Sequence, residues 1–451
     1  MSFLVKYLKN KKVTVLGAGV SGMAAAQLLH RKGVDVFVSE SQPASSKQHE
    51  KEVLQTQNIP FEFGKHSDII YKTDLLVVSP GISLDDTVIK KAEDKGLSVY
   101  GELEVASWYC RAPIIAVTGS NGKSTTTELI GYIFKNSGRE YEIVGNIGRP
   151  FSEIADTIDS KSTAVIEVSS FQLETIKSFH PRVAIFLNIS PDHLDRHGSM
   201  QIYSTLKSRI FENQTPEDFL IYNGMDTCVS DLIQDSKSQK IVFNKKSTDT
   251  PCGYIENEKL KVHFDGETVS VVDIRKMKQQ GKHNAANATA AALCARVMGI
   301  EWESIRYSLQ YFKGLSHRME FVRRKNDVVW INDSKATNVD AVWYALESFN
   351  SPVILIAGGR DKDADFYKLY DQVAQKVKHM ILLGEAAQKM KNVFKGISIS
   401  IVASMEEAVK EAEKIAEPGD NVLLSPCCTS FDMFTNFKER GNTFKDLVNK
   451  L

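Results

Sequence analysis

The eight residues from 117 to 124 read Val117-Thr118-Gly119-Ser120-Asn121-Gly122-Lys123-Ser124. They follow an apolar run, Pro113–Val117, which predicts a buried strand, and they precede Thr125–Phe134, where apolar residues recur at helical spacing. A glycine-rich turn between a strand and a helix directs backbone N–H groups and the positive end of the helix dipole toward one point. Lys123 adds a cation there, and Ser124 or Thr125 adds a hydroxyl that Mg²⁺ can use. The stretch therefore predicts a site for nucleotide phosphates.

This loop departs from the usual phosphate-binding pattern, G-x-x-x-x-G-K-[ST], because only two residues separate Gly119 from Gly122. A Gly-Lys-Ser tripeptide alone would carry little weight in a chain of 451 residues. The strand before it and the helix after it are the context that the motif requires, so the nucleotide interpretation stands.

Composition excludes several classes of protein. A chain of 451 residues should form two to four domains. Lys plus Arg and Asp plus Glu both number 56, so the chain offers no net positive charge for nucleic acid. The six cysteines form no CxxC pair, which argues against zinc and against a disulfide framework. The first ten residues are too short in apolar content for a signal peptide, and no long apolar span occurs, so we expect a soluble cytoplasmic protein.

A second glycine motif lies near the start of the chain. The strand Lys12–Leu16 is followed by Gly17-Ala18-Gly19-Val20-Ser21-Gly22, by an Ala-rich helix to about Arg31, and by a strand from Val34 that ends at Glu40. This is G-x-G-x-x-G in a strand–helix–strand unit with an acidic residue after it, which predicts a small doubly wound domain that ends near Glu104.

Two further units follow the phosphate loop. Strands are predicted at residues 162–168 and 182–188, an antiparallel β insertion at Lys237–Val271, and an Ala-rich helix from Gly281 to Met298. A third unit begins around Gly314, and its strands are predicted at 328–332, 353–357, 379–383, 397–402 and 421–424, with helical stretches between them. This alternation predicts a parallel sheet with helices on both faces.

Polar side chains end two strands of the central unit. Glu167 closes an apolar strand beside the phosphate loop, where a carboxylate could hold Mg²⁺ or simply face water. The segment Asn188–His197 closes the next strand with clustered Asp and His residues, including His193, which suggests a metal or phosphate site.

Other candidates remain open from the residues alone. Lys207, on a predicted helix, would ordinarily be a solvated lysine. Asp333 could bind a ribose hydroxyl and Lys335 a phosphate, and Ser425–Asp432 offers hydroxyls and N–H groups at a helix start. Turn and capping chemistry explains these last two segments equally well.

Taken together, these motifs resemble the Mur ligase family, whose phosphate loop has the shortened TGxNGK[ST] form. The resemblance covers the whole length of the chain. It rests on the glycine motif and phosphate loop already quoted and on these segments: Ser79–Ile82, Gly145–Gly148, Glu167–Glu174, Asp192–Arg196, Tyr203 with Lys207, His283-Asn284 with Asn287, His317-Arg318, Asn332–Asn338, Gly358–Lys362 and Ser425–Gly441.

The resemblance implies an α/β protein of three domains. These are an N-terminal Rossmann-like domain for a UDP substrate (1–104), a central P-loop ATPase with a parallel sheet and a small antiparallel insertion (105–313), and a C-terminal Rossmann-like domain for the amino acid (314–451). It further implies an ATP-dependent ligase that adds D-glutamate to UDP-N-acetylmuramoyl-L-alanine through an acyl phosphate, for peptidoglycan. The implied partners are these small molecules, with no nucleic acid and no membrane, and the implied state is a monomer.

Site residues carry over from the family position by position. Lys123, Glu167, His193 and Lys207 are implied as catalytic, and Lys207 resembles a family lysine that reacts with CO₂ to give a carbamate (N6-carboxylysine). Two Mg²⁺ sites are implied, with ligands among Ser124, Thr125, Glu167, His193 and carbamoylated Lys207. The implied ATP contacts are Gly119, Asn121, Gly122, Lys123, Ser124, Thr125, Asn287, Arg318, Asp333 and Lys335. The implied UDP-substrate contacts are Gly19, Val20, Ser21, Glu40, Gly81 and Asn146. The implied D-glutamate contacts are Thr337, Lys362, Ser430 and Phe437.

Rival functions are less consistent with the whole chain. Another Mur ligase or a folate polyglutamate synthetase-like ligase shares the ATPase, but the latter lacks the N-terminal domain that Lys12–Gly101 supplies here. An NAD-dependent oxidoreductase, inferred from the first glycine motif alone, leaves the phosphate loop unexplained. A nucleotide-dependent scaffold without catalysis has no use for Glu167, His193 and Lys207 together.

Overall fold

The computed structural model describes residues 8, 11–146, 148–192, 194–279, 281–349, 351–361 and 364–451, apart from the side chains of Asp195 and Asp340. The strands form three sheets, one for each of three α/β domains that follow one another along the chain. Two compact units contain them. The first holds residues up to 189, 193–274 and 286–310, and the second holds residues 190–192, 275–285 and 311–451.

The N-terminal domain is a five-stranded parallel sheet in the order β3-β2-β1-β4-β5. Its strands are β1 Lys12–Leu16, β2 Asp35–Glu40, β3 Phe61–Phe63, β4 Leu75–Val78 and β5 Ser98–Gly101. Its helices are α1 Val20–Arg31, α2 Gln48–Thr56, α3 Thr87–Asp94 and α4 Glu102–Tyr109. The central strand β1 is buried over four of its five residues, as expected for a parallel sheet covered on both faces.

The central domain is built on a nine-stranded sheet in the order β14-β13-β12-β11-β10-β9-β6-β8-β7. Its strands are β6 Ile114–Thr118, β7 Tyr141–Gly145, β8 Thr163–Glu167, β9 Val183–Phe186, β10 Phe219–Asn223, β11 Gln239–Phe243, β12 Cys252–Glu256, β13 Lys259–Phe264 and β14 Glu267–Asp273. Its helices are α5 Lys123–Asn136, α6 Ser170–Leu173, α7 Leu194–His197, α8 Met200–Ser208, α9 Thr227–Leu232, α10 Lys282–Val297 and α11 Trp302–Tyr311.

The antiparallel insertion is confirmed, but it begins later than the sequence pattern indicates. Strands β12, β13 and β14 pair antiparallel, whereas β11 pairs parallel with both β10 and β12. Short alternating runs do not reveal the direction of pairing, so the sequence assigned β11 to the insertion although it extends the parallel sheet.

The C-terminal domain has a six-stranded sheet in the order β15-β16-β20-β17-β18-β19. Its strands are β15 Glu320–Lys325, β16 Val328–Asn332, β17 Val353–Gly358, β18 Val377–Leu383, β19 Ile399–Ile401 and β20 Asn421–Cys427. Its helices are α12 Val339–Glu347, α13 Tyr370–Lys376, α14 Ala387–Val393, α15 Met405–Ile415 and α16 Phe437–Lys450. The edge strand β15 pairs antiparallel with β16 and was not predicted, because its charged residues hide the strand pattern.

No described helix has both the length and the apolar content that crossing a lipid bilayer requires.

Candidate active site

Three neighbouring strands of the central sheet end at one edge. Strand β6 lies between β9 and β8, with Val117 opposite Glu167 and Thr118 opposite Phe186. The phosphate loop follows β6, so it begins between Glu167 on one side and the turn that contains Asn188 on the other. Ligands of open α/β sheets bind at this carboxyl edge.

The phosphate loop is held in shape by Asn188. Its carbonyl oxygen accepts from the Ser120 N–H at 3.0 Å, its side-chain oxygen accepts from the Asn121 N–H at 2.8 Å, and its side-chain amide donates to the Asn121 carbonyl at 3.0 Å. Gly119 has φ +148°, and a Cβ there would lie 2.9 Å from the Leu187 Cβ. The loop therefore needs glycine at this position and an amide side chain at 188.

Gly122 is the residue at which the loop enters α5. Its φ is +85°, and a Cβ at this position would lie 2.5 Å from Oδ1 of the buried Asn287. Asn287 on α10, a predicted ATP contact, thus lies against the phosphate loop. Its amide is in a position to act together with the loop N–H groups.

Two lysines meet at one oxygen of the loop. The Lys123 Nζ donates to the carbonyl oxygens of Gly119 at 2.8 Å and of Ser120 at 2.9 Å. The Lys207 Nζ donates to the same Gly119 oxygen, also at 2.8 Å. Lys207 is only 1% exposed and lies over the Tyr203 ring at 4.8 Å, so it is not a solvated surface lysine. A buried ammonium beside a second, half-buried ammonium is favoured by negative charge nearby.

The predicted Mg²⁺ ligands lie on both sides of this loop. Ser124 is buried and Thr125 half-buried in the first turn of α5. Glu167, 2% exposed at the end of β8, accepts from the Asn146 side-chain amide at 2.8 Å through Oε1. Among the described residues, no donor bonds to its buried Oε2. Burial, and then the charge of Glu167, raises the pKa of Glu128 on α5.

A buried carboxylate oxygen without a donor fits a hard cation, which takes oxygen ligands. The described part of the chain contains no cluster of three or more His, Cys, Asp or Glu side chains arranged to hold a metal. His193, the remaining predicted ligand, lies outside the described residues. Glu167 with the hydroxyls of α5 is therefore the part of the predicted metal site that the structure describes.

The first glycine motif forms a different kind of loop. Gly19 is the N-cap of α1, and a Cβ on it would meet nothing within 4 Å, whereas Val20 is 72% exposed and Ser21 is half-buried. A Cβ on Gly81, in the turn after β4, would also meet nothing within 4 Å. The predicted UDP-substrate contacts therefore include open backbone at the start of a helix, which suits a diphosphate.

Glu40 braces this loop. Its Oε2 accepts from the Ala18 N–H at 2.7 Å and its Oε1 from the Gln42 N–H at 2.9 Å. Burial acts to raise the pKa of Glu40, but the hydrogen bonds from Gln42 and Ala18 outweigh it, and the pKa is lowered. The carboxylate is thus ionised and fixes the shape of the glycine loop.

In the C-terminal domain, Asp333 follows β16 and is buried. Its Oδ2 accepts from the Ser425 hydroxyl at 2.9 Å and its Oδ1 from the Met319 N–H at 3.2 Å. Burial raises the pKa of Asp333 to about 7, although the Ser425 hydrogen bond and the charge of Arg318 oppose it. Asp333 and Arg318, two predicted ATP contacts, are therefore electrostatic neighbours.

Lys335 and Phe437 also come together in this domain. The Lys335 Nζ lies 4.1 Å from the centroid of the Phe437 ring, and the His317 ring meets Phe437 edge-on at 5.9 Å. Ser430 is buried, and Thr337 is half-buried. A predicted ATP contact thus packs on a predicted D-glutamate contact, while Lys362 lies outside the described residues.

The sequence assigned no individual role to several residues that shape the site, although Asn188 lies in a segment predicted to form a metal or phosphate site. Besides Asn188, these include Tyr203, whose hydroxyl lies 3.0 Å from the Ser120 hydroxyl, and Glu128. Asn188 carried a signal, because an asparagine directly after a strand beside a phosphate loop is placed to cap loop N–H groups. For Tyr203, the sequence contained no signal of this role apart from the spacing between Tyr203 and Lys207.

These features define an α/β enzyme with a shortened phosphate loop at the carboxyl edge of its central sheet. Three family models match the chain: "Mur ligase MurD-like, N-terminal domain" at residues 11–101, "Mur ligase middle domain" at 117–295 and "Mur ligase, glutamate ligase domain" at 317–428.

Similar proteins extend the match to nearly the whole length. The UDP-N-acetylmuramoylalanine--D-glutamate ligase of Salinibacter ruber is 40% identical over 98% of this chain and 99% of its own. The ligase of the same name from Chloroherpeton thalassium is 42% identical over 98% of this chain and 99% of its own. The solved pseudomurein peptide ligase type C of Methanothermus fervidus shares the fold, with TM-score 0.62, 21% identity and coverage of 98% of this chain and 100% of that one. The chain belongs to the Mur ligase family.

Proposed function

We propose that this protein is an ATP-dependent amide ligase that joins D-glutamate to UDP-N-acetylmuramoyl-L-alanine during the synthesis of peptidoglycan precursors. The observation that carries the proposal is the identity of 40% and 42%, over 98% of the chain, with ligases named for this reaction. The phosphate loop between Glu167 and Asn188 supports it, because the reaction needs a phosphoryl donor.

Two bond exchanges make up the reaction. An oxygen of the alanyl carboxylate attacks the γ-phosphorus of ATP, and ADP leaves, which gives an acyl phosphate. The amine of D-glutamate then attacks the acyl carbon, loses a proton, and phosphate departs as the amide forms. Both steps develop negative charge on the same group of oxygens, so fixed positive groups accelerate both.

We assign to Lys123 the role of stabilising that developing negative charge. Its ammonium bonds to two loop carbonyls, at 2.8 and 2.9 Å, and so lies directly against the backbone that would hold the β- and γ-phosphates. The other proposed ATP contacts of the central domain are Gly119, Asn121, Gly122, Ser124, Thr125 and Asn287. In the C-terminal domain they are Arg318, Asp333 and Lys335.

Glu167, with Ser124, Thr125 and His193, would hold Mg²⁺. The fit rests on Oε2 of Glu167, to which no donor among the described residues bonds, while Asn146 fixes the other oxygen. Bound Mg²⁺ would supply positive charge to the phosphate oxygens.

Lys207 is proposed to carry the carbamate. Its Nζ and that of Lys123 share the Gly119 oxygen, so a negative charge on Lys207 converts repulsion between two cations into attraction. The buried position also protects a carbamate from water. As a carbamate, Lys207 would join the Mg²⁺ ligands.

The two remaining substrates are assigned to the outer domains, with Asn146 of the central domain as a further contact of the UDP substrate. Gly19, Val20, Ser21, Glu40, Gly81 and Asn146 are proposed to contact the UDP substrate. Thr337, Lys362, Ser430 and Phe437 are proposed to contact D-glutamate, whose two carboxylates suit a cation and hydroxyls. We propose domain boundaries of 1–104, 105–313 and 314–451, and a monomeric protein.

The test is phosphate release from ATP in the presence of UDP-N-acetylmuramoyl-L-alanine and one amino acid at a time. We expect release with D-glutamate and none above background with L-glutamate, L-lysine or meso-diaminopimelate. Release that depends on one of the other amino acids would assign the protein to another branch of the family. Release with a folate and L-glutamate would favour the folate polyglutamate synthetase alternative.

A further inference from the structure

A half-buried carboxylate in the central domain has no part in the proposed chemistry. Glu174, which follows α6, contacts two consecutive side chains of α7 with its two oxygens. Its Oε2 lies 3.1 Å from an Arg196 guanidinium nitrogen, and its Oε1 lies 3.4 Å from the His197 Nδ1. The side chains of Glu174 and His197 are 11% and 2% exposed, so this cluster is shielded from solvent.

Arg196 extends from Glu174 to the N-terminal domain. The same guanidinium donates to the Ile82 carbonyl at 3.0 Å and to the Gly81 carbonyl at 3.5 Å, and it lies 4.9 Å from the centre of the Phe171 ring. Gly81 is one of the residues proposed to contact the UDP substrate. Arg196 therefore ties the turn after β4 to the central domain.

His197 connects Glu174 to the phosphate loop through Tyr203. Its ring stacks on Phe171 at 5.1 Å, contacts the Tyr203 ring at 5.5 Å, and places Nε2 3.0 Å from the Ser170 hydroxyl. The Tyr203 hydroxyl lies 3.0 Å from the Ser120 hydroxyl, and the Tyr203 ring supports the Lys207 Nζ at 4.8 Å. His197 therefore packs behind the residue that contacts both the loop and the second lysine.

We propose that Glu174 is a positioning residue that fixes the UDP-substrate turn and the phosphate loop in one relative geometry, through Arg196 and His197. The inference rests on the proposed function, because it assigns substrates to those two loops. Phosphoryl transfer requires the alanyl carboxylate and the γ-phosphate to be aligned, and small displacements of either are costly. A carboxylate that accepts a hydrogen bond from Arg196 and lies 3.4 Å from the His197 Nδ1 supplies that alignment.

The kinetic test compares single variants. Arg196→Gln should raise the KM for the UDP substrate about tenfold and leave the KM for ATP within about twofold, because it releases the Gly81–Ile82 turn and keeps the His197 contact with Tyr203. His197→Asn should lower kcat and raise the KM for ATP, because it removes the support behind Tyr203. Glu174→Gln keeps the shape of the side chain and removes its charge. It should therefore raise the KM for the UDP substrate, as Arg196→Gln does, and also lower kcat and raise the KM for ATP, as His197→Asn does. The double variant Glu174→Gln/Arg196→Gln should then raise the KM for the UDP substrate no further than Arg196→Gln alone.

Glu256→Gln is the matched control. Glu256 is another paired carboxylate of the same domain, and it bonds to Lys261 in the antiparallel part of the sheet. Its replacement should leave kcat and the KM values for ATP and the UDP substrate within about twofold of wild type. If Glu174→Gln does not fold, Arg196→Lys replaces it, because lysine keeps the charge but lacks the planar guanidinium whose two nitrogens bond to Glu174 and both carbonyls.

Hydrogen exchange on the substrate-free protein separates this inference from the proposed function. Glu174→Gln should speed exchange at the Ile82 amide, which bonds to Ser79, and at the Ser120 amide, which bonds to Asn188. Faster exchange would support the positioning role even if D-glutamate proved not to be the substrate. Unchanged exchange at both amides, or a lower melting temperature with KM and kcat like wild type, would overturn it.

Discussion

The two glycine loops of this protein share a backbone design and differ in charge. Each joins a parallel strand to a helix through glycines with positive φ: +88° at Gly17 in the first, and +148° and +85° at Gly119 and Gly122 in the second. The first is braced by an ionised carboxylate, Glu40, on the Ala18 N–H. The second carries two lysine ammonium groups on one carbonyl oxygen.

This difference separates binding from catalysis. A diphosphate that is only held needs N–H groups and space, and the first loop supplies both at Gly19. A phosphate that is transferred gains charge during the reaction and needs positive charge that is already in place, as at Lys123, whereas Lys207 serves there through its proposed carbamate. Three changes, at Lys123, Lys207 and Gly22, test whether the two loops have these separate roles, and a pH comparison of Glu40 with Asp333 follows them.

The largest expected effect is that of Lys123→Ala. Loss of the cation nearest the transferred phosphate should lower kcat by a factor on the order of 10³, with little change in the KM for the UDP substrate. Steady-state phosphate release measures both constants. Lys135→Ala, an exposed lysine in the last turn of the same helix, is the control and should behave like wild type. A folded Lys123→Ala enzyme with near-normal turnover would refute the role.

Lys207→Ala should be nearly as severe, with kcat lower by a factor on the order of 10² or more, because the proposed carbamate is a metal ligand. A short carboxylic acid added to the buffer should restore part of the rate by supplying the missing anionic oxygens. Mass spectrometry under native conditions should detect the added CO₂ on the wild-type lysine. Full activity of the variant, or an unmodified lysine in the substrate-bound enzyme, would contradict the carbamate.

A change in the first glycine loop should weaken binding of the UDP substrate rather than lower turnover. A Cβ on Gly22 would lie 1.9 Å from the Gly17 carbonyl oxygen, so Gly22→Ala must displace the loop backbone. We expect the KM for the UDP substrate to rise about tenfold or more, while the KM for ATP stays within about twofold. Gly19→Ala, where a Cβ meets nothing within 4 Å, should leave the loop backbone in place, so any rise in the same KM there reports on the proposed diphosphate space alone. An equal rise in both KM values would mean that the loops do not act separately.

The smallest expected effect concerns two buried carboxylates whose pKa values shift in opposite directions. Asp333 has its pKa raised to about 7, so its contribution to stability is present below the unfolded pKa, near 4, and is lost as the pH rises through about 7. Glu40 has a lowered pKa, so its contribution is present above its ordinary pKa and is lost as the pH falls through the folded value.

Thermal unfolding at pH 8, at pH 5 and at a pH below 4 should show both signs. Relative to wild type, Asp333→Asn should gain stability on going from pH 5 to pH 8, and Glu40→Gln should be more destabilising at pH 8 than at a pH below 4. Parallel pH profiles for wild type and Asp333→Asn would mean that Asp333 is not the buried acid described here.

Local patterns predicted the fold and the outline of the site. Strands β1 and β16 match their predicted residues, and both glycine loops lie between a strand and a helix, because such turns depend on a few consecutive residues. Contacts between distant segments were not predictable. Asn188 braces a loop that lies more than sixty residues before it, and Glu174 meets Arg196 only because the sheet brings α6 and α7 together. For the same reason Lys207 looked like a surface lysine, and only its burial against Tyr203 shows otherwise.

The central claim is that the phosphate loop activates the alanyl carboxylate as an acyl phosphate before D-glutamate attacks. The most direct measurement uses UDP-N-acetylmuramoyl-L-alanine with ¹⁸O in the alanyl carboxylate and follows the label by mass spectrometry. The account predicts one ¹⁸O atom in the inorganic phosphate for each amide formed, with none in ADP. Unlabelled phosphate, or label in AMP, would contradict it.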